Sequence, residues 1–283
     1  MTVEPARLTI DAVRGMKGRA APIVMVTAYD YASADVAERA GVDLILVGDS
    51  AAMTVLGYET TRLVSLDEML MLTRAARRGA RSPLLIGDLP YGSYEASDAL
   101  ALGTARRFVE AGCDAVKMEG YGSIADRAAA LVAAGIPVMG HVGLTPQQTM
   151  TGESFRVQGR TMETALAIIR GAQELERAGC FAIVAEAIPA IVARELTPRV
   201  RVPVIGIGAG GGTDGQVLVF NDLVGLYDTH VPRFVKRYAT LKAEMIDALS
   251  RYAADVRAHR FPAEEHEYGM DENEAERLRR ALE

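Results

Sequence analysis

The sequence predicts an α/β fold, a (β/α)8 barrel of the TIM type, on three observations. Four times, an amphipathic segment runs into Ala-Gly and then a short apolar stretch that finishes on a polar residue. Eight apolar runs of strand length occur, each matching a strand buried on both faces, as parallel sheets require. Helical segments alternate with these runs throughout, which is the order of a parallel barrel, with a doubly wound open sheet as the alternative.

Taken in chain order, residues 8–18 predict an extra N-terminal helix, followed by a first strand over Ile23–Tyr29 and a helix start at Asp30. The first copy of the repeat runs from Glu38-Arg39-Ala40-Gly41 into Leu44–Val47 and Asp49. A third strand spans Pro83–Asp88, and Ser97 starts the next helix. The second copy takes Glu110-Ala111-Gly112 into Ala115–Met118 and Glu119, after which Ser123 with Asp126 reads as an acidic variant of the capping box. The third takes Ala134-Gly135 into Pro137–Met139 and His141, and the fourth takes Glu176-Arg177-Ala178-Gly179 into Phe181–Val184 and Glu186. In each copy glycine ends the helix, because it takes the left-handed conformation at low steric cost. Pro203–Ile207 and Val217–Leu223 complete the eight strands, and residues 232–258 and Asp271–Glu283 predict a C-terminal helical extension. The expectation is one domain over 1–283, with its core at about 20–230 and helices with a charged tail over 231–283.

Composition excludes several roles. With 283 residues, 49% of them hydrophobic and 24% charged, the chain can bury a large core. Its net charge of −6 offers no basic field for nucleic acid or an anionic membrane, and no apolar run is long enough to span a bilayer. Charges at Glu4, Arg7, Asp11 and Arg14 do not fit a secretory signal. The two cysteines, Cys113 and Cys180, each open an apolar run and read as small hydrophobes, which fits a reducing cytoplasmic location.

In a barrel of this type the strand carboxyl ends form the active-site mouth, so Asp49, Asp88, Glu119, His141 and Glu186 are expected to converge there. Oxygen ligands suit a hard cation, and magnesium takes one or two carboxylates together with waters and substrate oxygens. Asp49 and Asp88 are the expected direct ligands, with Glu119 beside them or acting through water. Lys117 lies two residues before Glu119 and so shares its face, where it either forms a structural ion pair or, the favoured reading, supplies a cation for a substrate carboxylate. Ser50 adds a hydroxyl and a backbone N–H for the same anion. Glu186, flanked by Ile183, Val184, Ala185, Ala187 and Ile188, is the expected proton-abstracting base, its pKa raised by apolar surroundings. His141 is expected to contact substrate or cofactor. The stretch Gly206–Gly211 formally matches GxGxxG, but Thr213-Asp214-Gly215-Gln216 and a further strand follow it, so it reads as a tight loop at the mouth and not as a dinucleotide site.

The motifs Thr27-Ala28-Tyr29-Asp30, Val47-Gly48-Asp49-Ser50, Asp88-Leu89-Pro90, Val116-Lys117-Met118-Glu119-Gly120, Gly140-His141-Val142-Gly143-Leu144-Thr145-Pro146-Gln147, Val157-Gln158-Gly159-Arg160, Ile205–Gly210 and Asp214-Gly215-Gln216 occur in this order. Together they resemble the ketopantoate hydroxymethyltransferase family, over about Leu8 to His266. The resemblance implies a magnesium site at Asp49, Asp88 and Glu119, keto-acid contacts from Ser50 and Lys117, and Glu186 as the base. It further implies transfer of a one-carbon unit from 5,10-methylenetetrahydrofolate to 3-methyl-2-oxobutanoate, giving 2-dehydropantoate for coenzyme A synthesis. A homodecamer of two stacked pentamers is also implied by the resemblance alone. The rival enzyme class is a magnesium-dependent phosphoenolpyruvate mutase or isocitrate-lyase-like C–C lyase; the non-catalytic rival is a scaffold or metabolite sensor.

Overall fold

A computed structural model describes residues 7–148, 156–227 and 231–283. Eight parallel strands close into a barrel in sequence order, β1 (Ile23–Thr27), β2 (Leu44–Val47), β3 (Leu84–Asp88), β4 (Ala115–Lys117), β5 (Val138–Gly143), β6 (Ala182–Glu186), β7 (Val204–Ile207) and β8 (Gly215–Leu218). The barrel expectation holds, and the open-sheet alternative falls, because β8 pairs back onto β1 through Ile23 and Gly215.

Around this core run α1 (Ile10–Arg14), α2 (Tyr31–Arg39), α3 (Ala51–Thr54), α4 (Leu66–Gly79), α5 (Asp98–Glu110), α6 (Ser123–Ala133), α7 (Met162–Arg177), α8 (Ala190–Leu196) and α9 (Phe220–Leu223). The four repeat glycines, Gly41, Gly112, Gly135 and Gly179, all carry φ between +76° and +109°, so the repeated helix stop is a left-handed residue each time. Caps at Asp30 and Ser97 are present, each accepting a hydrogen bond from the N–H three residues on.

The strands divide the apolar side chains by parity. Ile23, Met25, Leu44, Leu46, Leu84, Ile86, Ala115, Met139, Val184, Ile205 and Val217 fill the barrel interior, joined by Val13 of α1. Ile45, Val47, Leu85, Val116, Val138, Ile183 and Val204 belong to the second cluster, packed with helix residues such as Met69, Phe108, Leu131 and Leu175. Where the strands begin, acids tie the backbone down. Asp43 accepts from Val24 N (2.8 Å), Asp114 from Leu85 N (2.8 Å), and Asp214 from Val204 N (2.8 Å), Gly18 N (3.0 Å) and Lys17 Nζ (2.8 Å).

Three local expectations are corrected. The last strand stops at Leu218, and Phe220–Leu223 forms a helical turn, since Asn221 and Asp222 suit a turn better than a ladder. Ser123 is the first helical residue and Gly122 the cap, with no side-chain cap bond. The third copy's strand is longer than Pro137–Met139: β5 continues through His141 to Gly143 and pairs with β6 as far as Glu186.

The chain divides into two compact units, Met1–Arg237 and Tyr238–Glu283. In the second, α10 covers Leu241–Arg257 and α11 covers Glu272–Leu282, so the helix expected from residue 232 begins nine residues later. Among the described residues no helix is long and apolar enough to cross a membrane.

Candidate active site

The interior parity that packs the barrel also aims the polar groups. Asp88 continues Leu84 and Ile86, Lys117 and Glu119 continue Ala115, His141 continues Met139, and Glu186 continues Val184. All are thereby carried to the carboxyl end of the barrel, where Asp49 arrives from just beyond β2. Asp49, Asp88, Lys117, Glu119 and His141 are each at most 5% exposed.

Lys117 sits at the centre of the acids. Its Nζ donates to both oxygens of Asp88 (2.7 and 2.9 Å) and to Glu119 Oε1 (3.2 Å). Burial works against its charge, but Asp88, Glu119 and Asp49 outweigh it and raise the lysine, which stays protonated. Burial pushes Asp49 well above the usual carboxylate range, and Asp88 and Glu119 push it further against the pull of Lys117. Burial also raises Asp88 against Lys117. Glu119 goes the other way: burial opposes its ionisation, yet Lys117 and His141 hold it down at about 2.

His141 lies between two carboxylates, with Nδ1 3.4 Å from Glu119 Oε1 and Nε2 3.3 Å from Glu186 Oε2. Among the described residues neither nitrogen makes a well-formed hydrogen bond, so charge attraction more than alignment holds the ring. Burial and Lys117 disfavour its protonation, but the two glutamates prevail and raise it to about 9. The apolar sequence neighbours of Glu186 do not enclose its carboxylate, whose side chain keeps 19% exposure and faces the imidazole. That corrects the dry setting expected for this residue: period-two geometry turns Ala185 to the outer layer, away from the carboxylate. The backbone after Glu186 is strained, since Ala187 has φ +46°.

Ser50 opens α3, and its Oγ lies 2.9 Å from Tyr29 OH, which accepts from Thr27 Oγ1 (2.8 Å). Thr27 Oγ1 in turn accepts from Phe220 N (2.9 Å). Because Tyr29 OH accepts from Thr27, its own hydrogen is free for Ser50 Oγ, and in that arrangement the Ser50 hydrogen points outward. Burial pushes Tyr29 up to about 12, which keeps its hydrogen in place.

Two residues were missed by sequence reasoning, Gln147 and Tyr94. Gln147 N donates to Glu119 Oε2 (3.1 Å), and its side chain bridges Asp49 and Tyr94. Gln147 falls inside a motif already singled out; Tyr94 lies in the loop after β3 and carries no periodic signal.

Ligand oxygens of Asp49, Asp88 and Glu119 lie within 4.8 Å of one another, close to the roughly 4.2 Å between opposite ligands of a magnesium ion. With Lys117 and the His141 imidazolium set against Asp49, Asp88, Glu119 and Glu186, the fully ionised cluster carries two more negative than positive charges, which a divalent cation offsets. The residues therefore fit a hard divalent ion.

A family model described as ketopantoate hydroxymethyltransferase matches residues 7–264. A 3-methyl-2-oxobutanoate hydroxymethyltransferase of Nitratidesulfovibrio vulgaris is 50% identical over 277 residues, covering 97% of this chain and 90% of that one. One from Thermus thermophilus is 50% identical over 262 residues, covering 93% and 100%. Among solved structures, a phosphonopyruvate hydrolase in complex with oxalate and magnesium aligns with a TM-score of 0.59 over 97% of this chain and 98% of that one. At 17% identity this last likeness bears on the barrel alone.

Proposed function

Since the chain belongs to the ketopantoate hydroxymethyltransferase family, we propose that it transfers a hydroxymethyl group from 5,10-methylenetetrahydrofolate to 3-methyl-2-oxobutanoate, yielding 2-dehydropantoate for pantothenate synthesis. The observation that carries this reading is the convergence of Asp49, Asp88, Lys117, Glu119 and His141 in one buried cluster, with the Glu186 carboxylate at its rim.

Asp49, Asp88 and Glu119 are the residues that would hold magnesium. When bound, that ion supplies Lewis-acid polarisation of the substrate 2-oxo oxygen. Lys117 Nζ and the outward-donating Ser50 Oγ bind and orient the keto-acid carboxylate. Glu186, partly exposed at the mouth, takes the C3 proton onto its carboxylate, and the charged face of His141 steadies it. The electron pair left at C3 forms the new bond to the methylene carbon of the folate; both of that carbon's C–N bonds break, water supplies the hydroxyl, and the C3 proton with one proton of the water ends on the two nitrogens of the departing tetrahydrofolate, so no redox cofactor and no covalent enzyme nucleophile take part. The C–C lyase reading draws no support from the cysteines, since Cys113 and Cys180 are both buried and sit just before β4 and β6.

Family membership also supports a homodecamer and a cytoplasmic location; the particle mass from light scattering tests the former. Loss of the C3 proton of 3-methyl-2-oxobutanoate in deuterated water, followed by NMR with magnesium present, tests the chemistry. Glu186→Gln is expected to keep keto-acid and magnesium binding while exchange stops. Exchange at the wild-type rate in that variant removes Glu186 from the role.

A further inference from the structure

Gln147 lies in the 3-10 turn Pro146–Gln148 that follows β5, and its side chain is 1% exposed. Four hydrogen bonds reach it. Its N–H donates to Glu119 Oε2 at 3.1 Å, and its Nε2 donates to Asp49 Oδ2 at 3.0 Å and to Leu89 O at 2.9 Å. Its Oε1 accepts from Tyr94 OH at 2.7 Å. Tyr94, also 1% exposed, accepts from Glu119 N at 3.2 Å.

The direction of every bond in this group is forced. Glu119 N–H can only donate, so Tyr94 OH must spend its hydrogen on Gln147 Oε1. Leu89 O can only accept, so the amide NH2 must face it, and Asp49 Oδ2 lies on that same nitrogen and takes its second N–H. Flipping the amide would set its oxygen against two acceptors and its NH2 against a hydroxyl already committed as a donor.

We propose that Gln147 and Tyr94 act together as a positioning unit for the divalent cation, locking the carboxylates of Asp49 and Glu119 in their orientation about it. The proposal rests on the reading that Asp49, Asp88 and Glu119 hold that cation. Among the described residues Lys117 bonds Asp88 and Glu119 but not Asp49, so the side-chain hydrogen bond that orients the Asp49 carboxylate comes from Gln147. A neutral amide suits this position, because it gives Asp49 a hydrogen bond without adding positive charge that would compete with a metal ion. Gln147 spans three strand ends at once, touching the residues after β2, β3 and β4, so removing its amide should free Asp49 directly and loosen the turn whose backbone N–H holds Glu119.

The test is calorimetric titration of the purified full chain with MgCl2 alone, at a temperature where every variant is folded by circular dichroism. Gln147→Met keeps the volume and removes the amide; magnesium affinity should fall about 10-fold or more, the scale on which outer groups tune a metal. Tyr94→Phe keeps the ring and removes only the hydroxyl, and affinity should fall several-fold. Because the two act through one amide, the double variant should bind no more weakly than Gln147→Met alone, within about twofold. A purely structural role would lower stability without this non-additive loss of affinity. If Gln147→Met does not fold, Tyr94→Phe decides the matter. Wild-type affinity in the folded variants, or losses that multiply in the double variant, overturns the proposal. Asp88→Ala separates the two levels of reading. Binding lost in Asp88→Ala but unchanged in Gln147→Met sinks only the positioning unit, whereas no binding by the wild type sinks the cation site beneath it as well.

Discussion

Replacing Lys117 by Met tests the electrostatic account of the site. Lys117 is 3% exposed and its ammonium bonds both oxygens of Asp88 and one of Glu119, so the apolar substitute leaves three buried carboxylates without that counter-charge. Breaking a buried pair by removing one partner costs about 3–5 kcal/mol. At about 2–4 °C per kcal/mol for a chain of this class, Tm in EDTA should fall by about 6–20 °C. Magnesium should return part of this, because an ion at about 100 times its Kd adds about 2.7 kcal/mol to the folded state. The variant site is more negative, so at equal magnesium its Tm should rise more than that of the wild type. Acid should help too. Asp49 has a folded pKa raised by burial, Asp88 and Glu119, and losing Lys117 raises it further. The folded state then holds the proton more tightly than the unfolded state, so stability is present at low pH and is lost as pH rises through the raised value. Scanning calorimetry with EDTA or MgCl2 at several pH values measures all three effects. A Lys117→Met melt within 2 °C of wild type in EDTA, about 1 kcal/mol or less, refutes the reasoning.

Asp49→Asn removes a carboxylate that Asp88 and Glu119 repel while keeping an acceptor for Gln147, so its Tm in EDTA should rise by about 2–4 °C and its response to magnesium should vanish; an unchanged magnesium response would remove Asp49 from the ligand set. Asp214→Ala strands two backbone N–H groups and Lys17, and should cost about 3 kcal/mol by urea denaturation; a loss under 1 kcal/mol would show that water replaces the carboxylate. Tyr29→Phe frees the Ser50 hydroxyl and should raise KM for the keto acid about fivefold, the value of one hydrogen bond, with magnesium affinity unchanged; an unaltered KM would discount the polarised row. Burial pushes the Cys180 thiol up to about 12 and raises Cys113 as well, so iodoacetamide at pH 8 should modify neither in the native protein and both in guanidinium, as read by mass spectrometry; native modification of either would contradict the packing.

Period-two alternation explains how far the site could be read in advance. Asp88, Lys117, Glu119, His141 and Glu186 all extend runs whose interior-facing members are Ile86, Ala115, Met139 and Val184, so strand parity alone points them at the barrel axis. Asp49 sits three residues beyond the interior Leu46, and its position follows from the turn into α3, which parity does not encode. Gln147 and Tyr94 depend on the paths of two loops, and a loop path is set by tertiary closure that no sequence period records. The same limit applies to Glu186. Its neighbours along the chain are apolar, yet a strand sends alternate residues to opposite faces, and the side chain its carboxylate meets, His141, comes from β5 and not from its own segment. The last strand failed for a related reason: Val217–Leu223 has strand-like hydrophobicity, but Asn221 donates to Thr54 O and Phe220 N donates to Thr27 Oγ1, and those tertiary bonds favour a helical turn.

The two ends of the barrel use the same residue types in opposite ways, and the difference lies in the donors each end supplies. At the strand starts, Asp43, Asp114 and Asp214 receive backbone N–H groups from the neighbouring strand; Asp114 also meets Arg7 and Arg77, and Asp214 meets Lys17. Those acids are satisfied by groups that cannot leave, so they hold the fold without needing a ligand. At the strand ends, Asp88 and Glu119 each take one backbone N–H and share Lys117, His141 faces Glu119, and Asp49 takes the Gln147 amide, but these three acids also lie against one another and their mutual repulsion persists in the folded chain. An acid cluster short of donors lowers stability, and a cation that binds only the folded state recovers it. The closed barrel makes the contrast possible: its strand register fixes Lys117 opposite Asp88 whether or not an ion is bound, so the strain falls on the side chains and not on the sheet.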